Sequence, residues 1–238
     1  MQQRSGWVIL LVLALFGCTT TAPAIPVAGA KPVARELPSA QQLAGFAAVV
    51  DRVQPLAENI CRNLGKARRC NFRIVIDDRA NQPRNAFQMQ DDARRPILVF
   101  TAALIKDARN ADELAFVMGH EMAHHIADHI PQASRAALSG ALFAGVQASG
   151  KGLDKAAIRR AQDEAAGRAV LGYSRDFELQ ADALGAEIAI RAGYDAVRGS
   201  AYFDRLPDPG NRYLSTHPGN AERKAVVRSV AARLKAGG

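Results

Sequence analysis

Residues 110–130 of this 238-residue chain are NADELAFVMGHEMAHHIADHI, and this stretch decides the fold. Asn110 followed by Glu113 has the spacing of a capping box, so the sequence predicts a helix that begins here and runs until Pro131. On a helical wheel, apolar and small residues cover nearly the whole circumference of this helix. A helix that is apolar all round is buried, so we expect this one at the centre of the protein.

Three ionisable side chains, His120, Glu121 and His124, nevertheless share one arc of this helix. Burying them without partners would cost several kcal/mol. A divalent cation removes the conflict, because histidines at positions i and i+4 project their nitrogens from one face, as a tetrahedral zinc ion requires. Glu121 lies beside them and can accept a proton from water at the metal. This H-E-x-x-H pattern on a helix is typical of metalloproteases, and it predicts one zinc ion per chain.

A catalytic zinc ion needs a third protein ligand and an open fourth position. The longer metzincin pattern would put a third histidine at position 130, where this chain has Ile130. His129 points about 140° away from His124 on the helix, and His125 is rotated from His124 by about 100°. We therefore expect His125 and His129 to be supporting or surface groups and not ligands.

A glutamate from a separate helix is the other source of a third ligand. Glu178 and Asp182 lie one turn apart on the same face, so Glu178 can bind zinc while Asp182 orients a ligand histidine from behind. Glu164 and Glu187 remain competitors for the ligand role, since spacing alone does not separate them from Glu178.

The rest of the chain predicts helices packed on a small sheet, which is a mostly helical α+β fold. Alternating or β-branched residues predict three strands, at 72–77, 85–87 and 97–101. Further helices are predicted at 40–64, kinked or broken at Pro55, and at 174–192 with Ser174 as the cap. A last helix is predicted to start after His217-Pro218 and to run to Lys235. Residues 134–149 predict a surface helix or a mobile flap, and the charged, glycine-punctuated segment 150–172 is predicted to contain a loop.

The N-terminus has the composition of an export signal. Arg4 precedes the apolar run Trp7–Phe16, which is too short to span a bilayer as a mature helix. The ending at Cys18 resembles a lipobox, in which the cysteine becomes the lipidated first residue, and cleavage near Ala22 or Ala24 is the alternative. The predicted organisation is a lipoprotein-type signal peptide at 1–17, a Pro/Ala/Thr-rich lipidated tether at 18–38 and one folded domain at 39–238.

The net charge of +8 and the pI near 9.8 do not indicate a nucleic-acid-binding protein. The basic residues are scattered and form no run or aromatic-interleaved strip, so attraction to anionic lipid or a solvated basic face accounts for the charge. Cys61 and Cys70 are the cysteines left after Cys18. In an exported protein such a pair predicts a disulfide, with two buried thiols as the alternative.

Four ordered blocks of this sequence resemble the HtpX/CAAX-prenyl-endopeptidase type of zinc metallopeptidases. The blocks are Asn85-Ala86-Phe87 with the segment 97–104, Met118–His124, Ser174–Asp182, and Thr216-His217-Pro218 with Arg223. The family includes periplasmic lipoprotein members and the mitochondrial Oma-type proteases. One departure is the segment Gln88–Arg95, which stands where the family usually has a glycine-rich turn.

The resemblance implies a zincin-like domain of the gluzincin kind, with a small three-stranded sheet and the H-E-x-x-H helix in its active site. Zinc would be held by His120, His124 and Glu178, with Glu121 as the general base and Asp182 behind a ligand.

The same resemblance implies three further roles. An edge strand at Asn85-Ala86-Phe87 would pair with an extended substrate by β-augmentation. His217 would lie near the cleft as an oxyanion donor or a gate. Arg223 would support the zinc ligands from behind.

Together these observations predict a zinc-dependent endopeptidase that cleaves extended, unfolded or misassembled polypeptides at the bacterial envelope. Lipid on Cys18 would anchor it facing the periplasm, Thr19 favours the outer membrane, and envelope assembly factors are the expected protein partners. A chaperone or assembly factor that uses the cleft for binding with little turnover is the alternative, although a pure binder needs no general base such as Glu121. A zinc-stabilised structural domain, closed by a fourth ligand such as His217, is the second alternative.

Overall fold

The computed structural model describes residues 37–64, 69–208 and 218–237. The predicted signal peptide, the predicted lipidation site Cys18 and His217 lie outside these residues. The described segments form a mostly helical α+β fold, as predicted from the sequence. In chain order its elements are α1 Ala40–Asn63, β1 Arg73–Asp77, β2 Ala86–Gln90, β3 Pro96–Thr101, α2 Ala102–Asp107, α3 Ala111–Ile126, α4 His129–Gly150, α5 Lys155–Arg191, α6 Ala196–Gly199, a 3-10 helix Ser200–Arg205 and α7 Asn220–Ala236.

The three strands form one mixed sheet in the order β1-β3-β2. The central strand β3 is parallel to β1 and antiparallel to β2. Its residues Leu98 and Phe100 are fully buried, whereas no residue of β2 is fully buried. Within the described part of the chain, β2 is therefore an edge strand with one side open, and it continues three residues beyond the predicted strand 85–87.

The first helix, α1, begins with a capping box in which Ser39 and Gln42 each bond the other's backbone N–H. Phe46 on this helix contacts Phe100 of β3 edge-on, with ring centroids 5.0 Å apart, so α1 packs against the central strand as well as against α3. The predicted break at Pro55 is absent, since α1 is continuous through it. Pro55 has no backbone N–H, so the carbonyl four residues earlier lacks its intrahelical donor. Pro55 lies on the exposed side of α1, where that carbonyl can accept a hydrogen bond from water.

The buried central helix, α3, ends earlier than the sequence predicted. Asp128 adopts the left-handed conformation (φ 67°, ψ 33°) and turns the chain into α4. The assignment of Pro131 as the end of the central helix was wrong, because Pro131 lies in the first turn of α4 instead. A backbone N–H in the first turn has no intrahelical acceptor, so proline costs little there.

Residues 155–191 form one helix of 37 residues, α5. The loop predicted within 150–172 is present but is confined to residues 151–154. The predicted helix start at Ser174 was wrong, because Ser174 lies inside α5. The helix begins instead at Asp154, whose carboxylate accepts a hydrogen bond from the Ala157 N–H at 2.8 Å. The first half of α5 packs on α4 and the second half packs on α3. The apolar residues of the two halves therefore lie on different faces of the helix, and no single helical periodicity runs through the whole of α5.

Cys61, at the end of α1, is joined by a disulfide to Cys70, just before β1. Their Cα atoms lie 5.7 Å apart, which is within the usual range for a disulfide. Across the described ranges, none of the helices combines the length and the apolar character that crossing a membrane requires.

Candidate active site

The candidate site is built where α3 and α5 cross at two facing glycines. A Cβ on Gly119 would lie 2.6 Å from the Gly185 carbonyl oxygen, and a Cβ on Gly185 would lie 2.6 Å from the His120 backbone nitrogen. No residue larger than glycine allows so close an approach of two backbones. The crossing therefore brings Glu178, two turns before Gly185 on α5, to the histidines of α3.

Three side chains converge here, His120 and His124 from α3 and Glu178 from α5. The two histidine Nε2 atoms are 3.0 Å apart, and the Glu178 carboxylate oxygens lie 3.4 Å from His124 Nε2 and 3.6 Å from His120 Nε2. Ligand atoms bound tetrahedrally to zinc at about 2.0–2.1 Å lie about 3.3 Å from one another. The three donors therefore fit one zinc ion, and they are the predicted His-His-Glu set.

His120 is oriented from behind by a buried carboxylate. Its Nδ1 lies 2.9 Å from Asp182 Oδ1, so the proton resides on Nδ1 and the Nε2 lone pair faces the other two donors. Burial lowers the pKa of His120, but the hydrogen bond and charge of Asp182 and the charge of Glu178 outweigh it, so that pKa is raised. Burial raises the pKa of Asp182, but hydrogen bonds from His120 and Arg223 outweigh it, so that pKa is lowered.

Arg223 of α7 completes this arrangement, in the supporting place expected from the resemblance. Its guanidinium makes two hydrogen bonds of 2.7 Å to Asp182, and its Nη2 lies 3.3 Å from Glu178 Oε2. It also lies over the ring of Phe203, 4.0 Å from the ring centroid. Arg223 thus compensates the charge of two buried carboxylates at once.

His124 is oriented by His129, which the sequence left open as a supporting or a surface group. Its Nδ1 lies 2.9 Å from the Nδ1 of His129, and His129 Nε2 lies 3.4 Å from Gln180 Oε1. The ring of His129 stacks on Phe177, with centroids 4.3 Å apart. Burial, together with the nearby His124, lowers the pKa of His129 to about 4, so this ring is neutral and can accept the His124 Nδ1–H.

Wheel geometry placed His129 away from His124 because it assumed one continuous helix. The left-handed Asp128 between α3 and α4 redirects the chain and turns His129 back towards the site. His125, in contrast, has a structural role, since its Nε2 donates to the Arg69 carbonyl oxygen at 2.6 Å.

Glu121 follows the first zinc-ligand histidine on α3, is buried and lines the cleft. Burial raises the pKa of its carboxyl to about 7. The charge of Glu178 also raises this pKa, whereas the charge of His120 and a hydrogen bond from the Gln88 backbone N–H lower it. A carboxylate whose pKa is near 7 can both accept and return a proton at neutral pH.

A cleft of about 610 Å³ opens in front of these residues, between β2 on one side and the 3-10 helix and α7 on the other. Asn85, the residue before β2, directs its carbonyl to the Thr101 N–H of β3. Backbone directions alternate along a strand, so Ala86 and Gln88 direct their N–H and C=O groups away from β3. All three residues of the predicted substrate-binding segment Asn85-Ala86-Phe87 line the cleft. Among these three, Ala86 alone directs its backbone N–H and C=O to the open edge of the sheet.

The competing glutamates take no part in this site. Glu164 pairs with Arg168 at 3.6 Å and Glu187 with Arg191 at 2.8 Å, each one turn away on the same helix. Tertiary contact between α3 and α5 therefore selects Glu178, which spacing alone could not do.

Comparison with known proteins agrees with this geometry. The model of Peptidase family M48 matches residues 47–231, a segment that contains all of the site residues described above. The chain is 34% identical over 127 residues to the "Putative beta-barrel assembly-enhancing protease" of Vibrio cholerae, an alignment covering 49% of this chain and 25% of that protein. It is 29% identical over 140 residues to the "Mitochondrial metalloendopeptidase OMA1" of Arabidopsis thaliana, covering 55% of this chain and 27% of that protein.

The chain thus spans about a quarter of the length of these two relatives. The family match, in contrast, extends over more than half of this chain and includes both helices that carry the His-His-Glu site. The chain therefore belongs to peptidase family M48, and it carries one His-His-Glu site that fits the zinc ion of such a peptidase.

Proposed function

We propose that this chain is a zinc metalloendopeptidase that cleaves extended, unfolded or misassembled polypeptides at the bacterial envelope, with Glu121 as its general base. The observation that carries the proposal is the convergence of His120, His124 and Glu178 at the floor of a cleft whose wall is the open edge of β2. Metal donors, a base and an edge strand in one cleft are what hydrolysis of an extended peptide requires.

The residues of the site have distinct tasks in this reaction. Zinc held by the three donors supplies Lewis-acid chemistry, which polarises an oxygen atom and lowers the pKa of water. The Glu121 carboxylate takes the proton from the attacking water and returns it to the leaving amine, for which its raised pKa suits it. Asp182 and Arg223 hold His120 in the tautomer whose Nε2 faces the metal position.

The substrate binds as an additional strand on β2. Ala86 directs its N–H and C=O, and Gln88 its C=O, to the open edge. Both residues line the same cleft as Glu121, so a backbone segment paired with them passes in front of Glu121. Main-chain pairing is independent of side-chain identity, so it favours segments that are extended and lack their own strand partners. Unfolded and misassembled chains expose such segments.

The envelope location rests on the export signal and the lipobox-like ending at Cys18, together with the name of one relative. The relative from Vibrio cholerae is described as a protease that enhances β-barrel assembly. A lipid-anchored protease facing the periplasm, at the outer membrane, would meet polypeptides that fail to assemble there. Envelope assembly factors are then its expected protein partners.

One set of variants separates this function from its alternatives. Glu121→Gln should retain one zinc per chain and lose casein cleavage, because the ligands remain while the base is gone. His124→Ala should lose both zinc and cleavage, as should chelation of the wild-type protein. Cleavage by Glu121→Gln at a near wild-type rate would refute the mechanism. Zinc-loaded wild-type protein that binds unfolded casein without cleaving it would favour the chaperone, and zinc without either property would favour a structural site.

We also propose that His217 donates a hydrogen bond to the oxyanion of the tetrahedral intermediate. The support is its position in the sequence, two residues before the cap of α7, the helix that carries Arg223. Loss of such a donor costs about 3 kcal/mol, or roughly a hundredfold in rate. His217→Ala should therefore lower activity at unchanged zinc content. A more active variant would indicate a gating ligand instead, and an unchanged one a packing role.

A further inference from the structure

The hairpin formed by α4 and the first half of α5 has its apolar side chains on the outside. Small residues form the contact between the two helices, and a Cβ on Gly140 would lie 2.9 Å from the Ala165 carbonyl oxygen. The large apolar residues of α4 point the other way, and Leu138, Leu142, Phe143 and Val146 are between 58% and 73% exposed. In a helix pair whose outer surface faces water, large apolar side chains such as these would be buried between the helices.

The outer surfaces of the two helices of the hairpin differ in polarity. The exposed positions of α5 between 155 and 172 carry no large apolar side chain, and most are charged: Lys155, Ala156, Arg159, Arg160, Asp163, Glu164, Gly167, Arg168 and Gly172. The exposed side of α4 carries the four large apolar residues named above, which we call the α4 apolar face. The hairpin is therefore amphipathic as a unit, with α4 on its apolar side and α5 on its charged side.

Charge at the ends of the α4 apolar face indicates what covers it. Residues 129–150 contain no aspartate or glutamate. Arg135 lies one turn before Leu138 on the same side, and its Nη2 is 3.9 Å from the carboxylate of Asp128, a long and largely exposed ion pair. At the other end, the turn into α5 carries exposed Lys151 and Lys155 around the exposed Leu153. Lysine and arginine beside an apolar face can place their charges among anionic headgroups while the apolar side chains enter the acyl region.

A second copy of this chain fits the same face less well. Two α4 helices packed face to face would bring Arg135 and Lys151 of both copies together. The acidic residues at the ends of α4 are already engaged, since Asp128 lies 3.9 Å from Arg135 of its own chain and Asp154 caps α5. An anionic lipid surface, in contrast, satisfies both the apolar residues and the cations.

We infer that the α4 apolar face docks on an anionic lipid surface, with α4 lying along the surface and α5 between α4 and water. The inference needs neither the lipid on Cys18 nor the proposed substrate. Its consequence for the active site follows from chain connectivity, because α4 begins five residues after His124 and its Ile130 lines the cleft. Docking would hold the cleft beside the membrane.

Two labelled variants of the full chain test this inference. Val146→Cys places a thiol on the α4 apolar face, and Gly167→Cys places one on the outer side of α5, where a Cβ meets nothing within 4 Å. Both positions are exposed, so neither substitution disturbs packing, and Cys61 and Cys70 are protected in their disulfide. Each variant is labelled with an environment-sensitive fluorophore, and the unsubstituted chain treated with the same dye gives the background.

The measurement is quenching by phosphatidylcholine vesicles brominated in the acyl chain, with and without phosphatidylglycerol. We expect quenching severalfold stronger at position 146 than at position 167, and stronger with phosphatidylglycerol than without it. Adding Arg135→Glu and Lys151→Glu should reduce the quenching at position 146 severalfold. Equal quenching at the two positions, whether weak or strong, would overturn the inference. A probe at position 146 that is shielded in lipid-free solution in proportion to protein concentration would overturn it in favour of a second copy.

Discussion

The close contact between Gly119 and Gly185 predicts that a side chain at either position will disturb the zinc site. In Gly185→Ala the new Cβ would lie 2.6 Å from the His120 backbone nitrogen, 2.8 Å from the His120 Cα and 2.9 Å from the Gly119 carbonyl carbon. All three are backbone atoms of α3, so no side-chain rotation relieves the overlap. The helices α3 and α5 must separate at the point where they carry the zinc ligands.

The size of this separation follows from ordinary contact distances. Contact at a Cβ begins near 3.4 Å, so α3 and α5 must move apart by about 0.8 Å. Zinc–ligand distances tolerate only about 0.2 Å, so Glu178 can no longer share one ion with both histidines in the same geometry. We expect zinc affinity to fall at least about a hundredfold. Overpacking should also cost about 1–3 kcal/mol of unfolding free energy, offset by about 1 kcal/mol from replacing a helical glycine with alanine.

Gly167→Ala is the matched control, since it makes the same substitution on the same helix where the Cβ meets nothing within 4 Å. It should bind zinc normally and gain about 0.4–1 kcal/mol in stability. The assays are zinc competition against a chromogenic chelator, urea unfolding of the zinc-free proteins, and casein cleavage at saturating zinc. If Gly185→Ala matched Gly167→Ala in zinc affinity, the close crossing would not set the ligand geometry and the reasoning would fail.

Three further predictions concern the supports of the site and of the fold. Asp182→Asn should weaken zinc binding about 10–100-fold, since His120 loses its charged acceptor, and chelator competition showing wild-type affinity would contradict this role. His129→Ala should weaken zinc binding to a similar extent, again by chelator competition, while a loss confined to thermal stability would indicate that His129 only packs on Phe177. Arg205→Leu leaves the 2%-exposed Glu113 carboxylate without its bidentate partner and should lower the unfolding free energy in urea by about 3 kcal/mol. Arg168→Leu, which removes an exposed pair with Glu164, should cost less than about 1 kcal/mol, and equal losses would be evidence against a buried ion pair at Glu113.

Local signals predicted the central helix and the zinc-binding pair well, because both depend on neighbours in sequence. His120 and His124 are one turn apart, and helical geometry alone puts their nitrogens on one face. The same local reasoning was wrong at Pro131 and at Ser174, where the deciding contacts are not local. Asp128 in the left-handed conformation ended α3, and packing against α4 kept α5 helical through its glycines.

By itself, the sequence determined the buried α3 helix, the H-E-x-x-H pair and the mostly helical class, because hydrophobic periodicity and i, i+4 spacing are properties of a single helix. Only the tertiary structure decided that Glu178, and not Glu164 or Glu187, is the third donor, since that choice depends on where α5 crosses α3. It also decided the role of His129, which the turn at Asp128 brings back to His124. A metal site needs donor atoms within about 3–4 Å of one another, and between separate helices that distance is set by packing, here by the contact of two glycines.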